Sequence, residues 1–388
     1  MIELDEALDI LGDIPAESKA ETIRIEDALG RVLAGTILSP IDSPPFDKSA
    51  MDGFALPAGG SEAWYRITET IAAGAVPGRI VGNGECARIM TGAMLPPGAD
   101  RVIRKEYVEE TQGAIRPHTP EPGDNVIRRG SSLRAGQKVL GPKVLAPQDI
   151  GTLAASGIAM IAAAVPPVTH VICTGGEICA PGETLGPGKI YDSNGPQLRA
   201  QLAAMRCPCG PSEIVQDSPE ALSAALSAAL ASADLVLLTG GVSAGDFDYV
   251  PACLQDLGAQ IIFHGVAVKP GKPVLFARRA KGFIFGLPGN PVSTFVMFEV
   301  FVKPFLYRRM GIEWVPPAIR GVAAEKISRR LAERAEFLPV RVRQGMVRQV
   351  AFHGSSHQNA LAEADGLIRV EKGVTEIAQG TEIDVRPI

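Results

Sequence analysis

Residues 235–250 read LVLLTGGVSAGDFDYV, and this stretch decides the fold of the segment around it. Its branched apolar start, Leu235 to Leu238, is typical of a buried parallel strand. Thr239-Gly240-Gly241 follows, where glycine lets the backbone turn sharply and lie close to a ligand. The apolar positions from Val250 to Leu257 then predict a helix. Strand, glycine turn and helix start together predict an anion site, because ligands gather at the carboxyl ends of such strands and helix N-termini favour phosphates.

Three further loops repeat or complement this arrangement. VICTGGE (171–177) is again a strand with Thr-Gly-Gly, and Glu177 comes directly after the turn. Lys269-Pro270-Gly271-Lys272 follows a strand and supplies two ammonium groups suited to phosphate or another oxyanion. In GLPGNP (286–291), Asn290 is predicted to cap a helix whose first turn contains Pro291. Four such loops in one sheet predict a shared ligand crevice.

The segment that contains these loops alternates strands with helices. Pro166-Pro167 marks its start, and helices are predicted after an N-cap at Asn194, from Ser218 to Ala231, from Val250, and from Pro291 onwards. This alternation predicts a doubly wound parallel α/β sheet with both faces covered.

The rest of the chain has a different pattern. Amphipathic helices are predicted over residues 3–12 and 26–33, and residues 39–56 form a proline-rich loop. Short strand-like runs over residues 64–107 predict a separate β domain, and the alternation after residue 311 predicts a small C-terminal β domain.

Two polar residues of the first β region have alternative interpretations. Asp52-Gly53 is either part of a functional loop or a simple hairpin turn. Thr91, in the turn IMTGA, either faces a ligand or caps its own turn.

Composition excludes several classes of protein. The 388 residues predict two to four domains. The net charge of −5 and the lack of a basic run argue against a nucleic-acid partner. The acidic start is unlike a secretory signal, and the Ala-rich stretch 150–165 is interrupted too often for a membrane span. Six cysteines without zinc-type spacing indicate reduced thiols, so a cytoplasmic protein is expected.

Five motifs, in this order, resemble those of the molybdopterin molybdenumtransferases, relatives of the gephyrin E domain: SPPFDKSAMDGFAL, IMTGA, TGGVSAGDFDY, VAVKPGKPVLFA and FGLPGNPVSTF. The resemblance covers nearly the whole chain. It implies a multidomain α/β plus β subunit with a discontinuous mixed domain I (1–42 and 133–166), an inserted β domain II (43–132), a doubly wound molybdopterin-binding domain III (167–311) and a C-terminal β-barrel domain IV (312–388). It also implies a homodimer whose cleft joins domain III of one subunit to domain II of the other.

The family reaction is the insertion of molybdate into adenylylated molybdopterin, assisted by Mg²⁺, with release of AMP. The substrate pyrophosphate suits the glycine turns and the lysines, and positioning and electrostatics would carry most of the catalysis. A molybdopterin adenylyltransferase and an apo-molybdoenzyme are the expected protein partners. The predicted catalytic residues are Asp52, Thr91, Glu177, Asp248 and Lys269, with Asp248 also the predicted metal ligand. The predicted substrate-binding residues are Thr239, Gly240, Gly241, Ser243, Asp217, Lys272, Pro288, Asn290 and Pro291.

The chain also departs from the family pattern. Ser131-Ser132 replaces an acidic pair, Gly176 replaces an acid, and Gly265 replaces a basic residue four positions before Lys269. Because lost acids and a lost base oppose each other, molybdate affinity is expected to weaken only modestly. Lys269, Lys272 and Arg128 remain to hold the anion. His264 either assists them or is an ordinary strand-end residue.

Three functions fit the sequence to different degrees. The first is an active molybdenumtransferase, and the second is a non-catalytic paralogue that binds molybdopterin species as carrier, sensor or molybdoenzyme partner. The third is another enzyme with the same sheet, such as a nucleotidyl transferase. Asp52 and Thr91 argue against the third, because a lone adenylyltransferase domain has no β domain to contribute to its site.

Overall fold

The computed structural model of the chain describes residues 1–17, 19–243, 249–280, 282–351 and 354–388. The chain divides into two compact units. One comprises Met1–Glu21, Gly30–Ala34 and Ala162–Ile388, and the other comprises Thr22–Leu29 and Gly35–Ile161. The four domain boundaries expected from the sequence stay predictions. Within the described ranges, every helix is too short or too polar to span a bilayer.

The first 166 residues contain short strands and few helices. The helices are α1 (Leu4–Gly12) and α2 (Pro147–Ala155), with 3₁₀ turns at Ile25–Asp27 and Lys105–Tyr107. The strands are β1 (Ala20–Arg24), β2 (Ile37–Leu38), β3 (Lys48–Ser49), β4 (Gly53–Pro57), β5 (Tyr65–Ile71), β6 (Glu85–Ile89), β7 (Ala99–Arg104), β8 (Val108–Thr111), β9 (Ala114–Pro117), β10 (Val126–Ile127), β11 (Lys138–Leu140) and β12 (Met160–Ala164).

The predicted inserted β domain is present as a sheet in the order β7-β4-β6-β5-β9-β8. Side chains alternate across β4: Ala55 joins one apolar cluster, and Phe54 and Leu56 join the other. The prediction of a helix over residues 26–33 is wrong. Only a 3₁₀ turn forms there, and Gly30 has a φ of +76°, which a regular helix does not allow.

The middle of the chain alternates strands and helices, as predicted. Its strands are β13 (Thr169–Thr174), β14 (Ile178–Cys179), β15 (Ile190–Tyr191), β16 (Glu213–Val215), β17 (Leu235–Thr239), β18 (Gln260–His264), β19 (Val268–Lys269), β20 (Leu275–Arg279) and β21 (Gly282–Leu287). Its helices are α3 (Asn194–Ala204), α4 (Pro219–Ser232), α5 (Val250–Asp256), α6 (Pro291–Met297) and α7 (Lys303–Arg309).

These strands form a sheet in the order β16-β13-β17-β21-β20-β18. The first four run parallel, but β20 pairs antiparallel with both β21 and β18. The predicted doubly wound α/β sheet is therefore present, but β20 departs from the predicted parallel direction, because β20 and β21 are joined too closely to include a crossover. Helices α4 and α5 contact each other on one face, and α3 and α6 contact each other on the other, so both faces are covered.

The long helix predicted from Pro291 changes its winding before it ends. Residues Phe298–Val302 form a π-helical turn between α6 and α7, and Pro304 follows within the first turn of α7. Proline has no N–H to donate to the preceding turn, and a π-turn is one way a helix accommodates such a gap.

The C-terminal segment closes into a five-stranded barrel. Its elements are β22 (Ile319–Ala323), β23 (Ile327–Ser328), β24 (Ala335–Arg343), β25 (Met346–Gln349), β26 (Gly366–Val370), β27 (Glu376–Ile377), β28 (Glu382–Pro387) and α8 (Asn359–Ala362). The barrel order is β24-β25-β22-β28-β26, closed by pairing of β26 with β24. Strand β19, from the preceding segment, also pairs with β24, so this ladder joins the α/β segment to the barrel.

Candidate functional site

The parallel strands end at one edge of the α/β sheet, where two Thr-Gly-Gly turns lie against each other. Thr174 ends β13 and Thr239 ends β17, and both are buried. A Cβ on Gly240 would lie 2.5 Å from the carbonyl oxygen of Thr174, and the φ of Gly240 is +89°. Glycine is therefore required here. The Thr174 hydroxyl is a buried polar atom beside the turns and has no hydrogen-bond partner in the described part of the chain.

Asn194 joins the loops at this edge. Its Nδ2 donates to the Gly289 carbonyl oxygen at 2.7 Å and to Thr239 Oγ1 at 3.3 Å. At the start of α3, the backbone N–H of Gly195 donates instead to Asp192 Oδ1 at 2.9 Å. The prediction that Asn194 caps α3 is therefore wrong, because its buried side chain reaches across to the neighbouring turns.

The Pro288–Pro291 loop connects these turns to the C-terminal segment. Helix α6 begins at Pro291, as predicted, but the Asn290 side chain makes no cap hydrogen bond. Its Nδ2 donates to Ser355 Oγ at 2.9 Å, and Ser356 Oγ donates to its Oδ1 at 3.3 Å. The predicted side-chain cap is wrong, since these two serines are the partners of the amide.

A cavity of about 520 Å³ lies beside this loop and is strongly cationic. Pro288, Asn290 and Ser355 form part of its wall. Among its described lining residues, the charged ones are Lys269, Lys272, Arg329, Arg330, Arg334 and Glu336. Five basic side chains against one acid create a potential that favours a small anion.

The two lysines of the cavity differ in their contacts. Lys269 Nζ lies 2.8 Å from Glu336 Oε1, whereas Lys272 is exposed and makes no ion pair with any described residue. Gly271 lets the loop between them pack on α6, because a Cβ there would lie 2.4 Å from Met297 Sδ. We call this cavity, with its lysine loop, the cationic cavity.

Two of the predicted acids, Glu177 and Asp217, follow the parallel strands β13 and β16 and so lie at the same sheet edge as the glycine turns. Glu177 is exposed, and its Oε2 lies over the turn, 2.7 Å from where a Cβ of Gly175 would be. Asp217 is exposed and immediately precedes Ser218, whose Oγ accepts from Ala221 N to cap α4. Ser243 is also exposed, while Asp248 lies outside the described residues.

The acids do not form a complete metal site by themselves. Within residues 1–17, 19–243, 249–280, 282–351 and 354–388, no group of three His, Cys, Asp or Glu side chains is arranged to hold a metal ion. Mg²⁺ in enzymes usually takes one or two carboxylates together with substrate phosphates and water.

Asp52 and Thr91 lie in the other compact unit and contact each other directly. Thr91 donates to Asp52 Oδ1 twice, from its backbone N at 2.8 Å and from Oγ1 at 2.7 Å. These bonds lower the pKa of Asp52, the backbone bond most strongly, because they stabilise the carboxylate. Asp52 is exposed and lies between β3, which pairs with β10, and β4, which pairs with β6 and β7, so Asp52-Gly53 does not form the turn of a hairpin and that alternative is wrong. Thr91 orients the carboxylate and leaves Oδ2 without a partner in the described chain.

Two other anion-holding candidates have structural partners. Arg128 donates to Asp124 Oδ2 at 2.7 Å, the Asp100 carbonyl oxygen at 2.8 Å and Asp47 Oδ2 at 3.2 Å, so it belongs to an ion-pair network. His264 Nε2 donates to the Val242 carbonyl oxygen at 2.7 Å, which ties the end of β18 to the loop after β17. These contacts favour structural roles for both.

Gly265 has a backbone reason for its identity. Its φ is +85°, a conformation that glycine adopts without strain, and its N–H donates to the Val274 carbonyl oxygen at 2.9 Å. Glycine at this position, in place of a basic residue, therefore suits the left-handed backbone conformation just before the lysine loop, residues 269–272.

Several lining residues of the cationic cavity were not predicted. They come from the C-terminal segment: Arg329, Arg330, Arg334, Glu336 and Ser355. The basic stretch SRRLAERAEF (328–337) is a visible signal in the sequence. Its position beside Lys269 depends on the pairing of β19 with β24, which the sequence pattern does not reveal.

Comparisons with known proteins cover the whole chain. Residues 2–157 match the profile of the MoeA N-terminal region (domain I and II), residues 170–308 that of a probable molybdopterin binding domain, and residues 321–388 that of the MoeA C-terminal region (domain IV). The chain is 32% identical to the molybdopterin molybdenumtransferase of Haemophilus influenzae, covering 100% of this chain and 98% of that protein. It is 33% identical to the molybdopterin molybdenumtransferase of Staphylococcus aureus, over 84% of this chain and 81% of that protein.

Solved structures give the same result. A molybdopterin biosynthesis MoeA protein from Pyrococcus horikoshii superposes with a TM-score of 0.82 at 31% identity, over 100% of this chain and 99% of that chain. A second structure of a MoeA protein from the same organism gives a TM-score of 0.86 at 28% identity, over 100% of both chains.

Proposed function

Because the chain belongs to the molybdopterin molybdenumtransferase family, we propose that it inserts molybdate into adenylylated molybdopterin and releases AMP. The observation that carries the proposal is the continuity of the glycine turns with the cationic cavity. Gly289 lies beside Gly240 of the turns, and its neighbours Pro288 and Asn290 line the cavity. A substrate pyrophosphate at the turns would therefore be adjacent to an oxyanion in the cavity.

The main obstacle to the reaction is electrostatic repulsion between its two substrates, and the cationic cavity is suited to reduce it. Molybdate and the substrate both carry negative charge, so bringing them together costs Coulomb energy. Lys269 and Lys272, which line the cavity, would offset this repulsion. Backbone N–H groups at the strand ends would hold the phosphates. We assign to these groups the roles of binding and orientation, which raise the effective concentration of the reacting atoms.

Mg²⁺ is proposed to bind with the substrate rather than in a resident protein site. Glu177 and Asp217 are the described carboxylates at the sheet edge, and Asp248 would add a third beyond the described residues. When bound, the ion would neutralise phosphate charge. Asp52, oriented by Thr91, would act from the inserted β domain.

The proposed active form is a cytoplasmic homodimer. Family resemblance supports a cleft in which the β domain of one subunit faces the α/β domain of the other. Its proposed protein partners are a molybdopterin adenylyltransferase, which supplies the substrate, and an apo-molybdoenzyme, which accepts the product. The six cysteines are unpaired, which supports a reducing compartment.

A defined reaction tests the proposed activity. Purified protein mixed with adenylylated molybdopterin, Mg²⁺ and molybdate should release AMP and activate an added apo-molybdoenzyme, and omission of molybdate should abolish activation. Binding of the substrate without either product would reject the transferase and favour a carrier.

Mixed dimers test the shared cleft. Asp52→Ala and Asp248→Ala subunits should each be inactive, because each pure dimer lacks one essential residue in both clefts. After subunit exchange at equal amounts, about half of the dimers are mixed and one of their two clefts is intact, so about a quarter of wild-type activity should return. The assay is AMP release after exchange, with unexchanged mixtures as the control. No recovery despite proven exchange would contradict the shared cleft.

A further inference from the structure

Glu336 stands out among the charged residues of the cationic cavity. It is the single acidic residue among the described lining residues, and it is only 3% exposed. On β24 it lies in register with Lys269 on β19. Its Oε1 is 2.8 Å from Lys269 Nζ, and its Oε2 is 3.6 Å from Arg329 Nη1. A buried carboxylate thus faces two cations of a cavity that is otherwise suited to anions.

Arg329 is held in place by other groups. Its Nε donates to the Val374 carbonyl oxygen at 2.6 Å, Nη1 donates to that of Arg334 at 2.8 Å, and Nη2 donates to that of Glu371. Glu336 Oε2, in contrast, is buried and accepts no hydrogen bond from the described residues. The guanidinium position therefore does not depend on Glu336, and what the carboxylate adds to the cavity is its charge.

We propose that Glu336 is an internal counter-charge that sets the affinity of the cationic cavity for oxyanions and its dependence on ligand charge. This role deepens the proposed function and rests on it for the identity of the physiological anion. The carboxylate forms an ion pair with Lys269 and repels any anion that enters the cavity. Because Coulomb energy scales with ligand charge, this repulsion is twice as strong for a dianion as for a monoanion. Tighter binding of free molybdate would lower KM without raising kcat, because only interactions that are stronger in the transition state raise kcat.

Glu336→Gln removes the charge at nearly constant shape and tests the proposal. Calorimetric titration of the full-length protein with molybdate, and separately with the tetrahedral monoanion perrhenate, measures both affinities at one low ionic strength. Glu336→Gln should tighten molybdate about tenfold and perrhenate about threefold, because Coulomb energy scales with ligand charge. Glu336→Asp keeps the charge and should keep wild-type affinities. The matched control is Glu363→Gln, an exposed acid paired with Arg341 at 2.9 Å outside the cavity lining, and it should change neither affinity.

Three results would overturn the counter-charge. One is an unchanged molybdate affinity in Glu336→Gln, and another is an equal change for both anions. The third is that neither wild type nor Glu336→Gln binds either anion. The proposed activity is judged separately by AMP release from wild-type protein. Tighter, charge-dependent binding without AMP release would support the counter-charge and reject the transferase, whereas normal AMP release with unchanged binding would reject the counter-charge alone.

Discussion

Replacing Lys269 with methionine should lower kcat/KM for molybdate about 100-fold. Methionine keeps the unbranched apolar stem of the lysine but removes the ammonium that lines the cationic cavity. A unit charge about 4 Å from an anion contributes about 4 kcal/mol at an effective dielectric constant near 20, and salt screening lowers this toward about 2.7 kcal/mol, or 100-fold. The measurement is initial AMP release at varied molybdate. Lys326→Met, an exposed lysine paired with Glu376 at 3.4 Å, is the control and should have wild-type kinetics.

A double variant separates loss of the anion contact from damage to the fold. Lys269→Met leaves Glu336 buried, with Arg329 as its remaining cation at 3.6 Å, so thermal stability should also fall. Lys269→Met/Glu336→Gln should regain that stability and about tenfold of the lost kcat/KM, because the opposing charge is gone too. Full recovery of kcat/KM would contradict a direct role for the lysine, since its only effect would then be to neutralise Glu336.

Replacing Glu299 with alanine should destabilise its compact unit by about 3 to 5 kcal/mol, the usual cost of breaking a buried ion pair. Glu299 is 4% exposed and lies in the π-turn between α6 and α7. Its carboxylate is 2.9 Å from Lys303 Nζ, accepts from Gln201 Nε2 at 3.0 Å, and is 3.7 Å from Arg386 Nη2. Burial lowers the pKa of Arg386 and Glu299 counteracts this, so the alanine variant leaves that guanidinium without its counter-ion.

Urea unfolding followed by tryptophan fluorescence measures this effect locally. Trp314 contacts two of the charges, with its ring 5.1 Å from Lys303 Nζ and 5.0 Å from Arg386 Cζ. The chain contains two tryptophans, so a Trp64→Phe background makes Trp314 the reporter. Glu382→Ala, which breaks an exposed pair with Arg320, is the control and should cost less than about 1 kcal/mol. Equal urea midpoints for the two variants would show that the buried charge does not stabilise this unit.

Local patterns were sufficient to predict most helices and strands of the α/β segment. The run Leu235–Thr239 and the helix Pro219–Ser232 each follow from residues that are neighbours in sequence. The direction of β20 does not follow in this way, because an apolar run looks the same in either orientation. Only the short connection before Gly282 indicates a hairpin.

The roles of single polar side chains were harder to predict. Asn194 and Asn290 both precede apolar helical positions, which is the usual pattern of an N-cap, yet their amides bond across loops. Such choices depend on which groups the tertiary fold brings within 3 Å. The same limit explains why the role of Glu336 was not predicted, because its partner Lys269 is distant in sequence.

The two-residue strand β19 has a consequence for how the chain folds. By chain order it belongs with the α/β segment, but its ladder is with barrel strand β24, through Val268 opposite Ala335 and Lys269 opposite Glu336. Contacts between residues so distant in sequence form slowly, since a long loop must close before they are gained. The lysine loop therefore adopts its final setting only after the barrel strand has docked. A nascent chain that ends before residue 335 would leave β19 without its partner strand, and the two-residue length of β19, the charge of Lys269 and the following Pro270 are features that protect such an edge from pairing between chains.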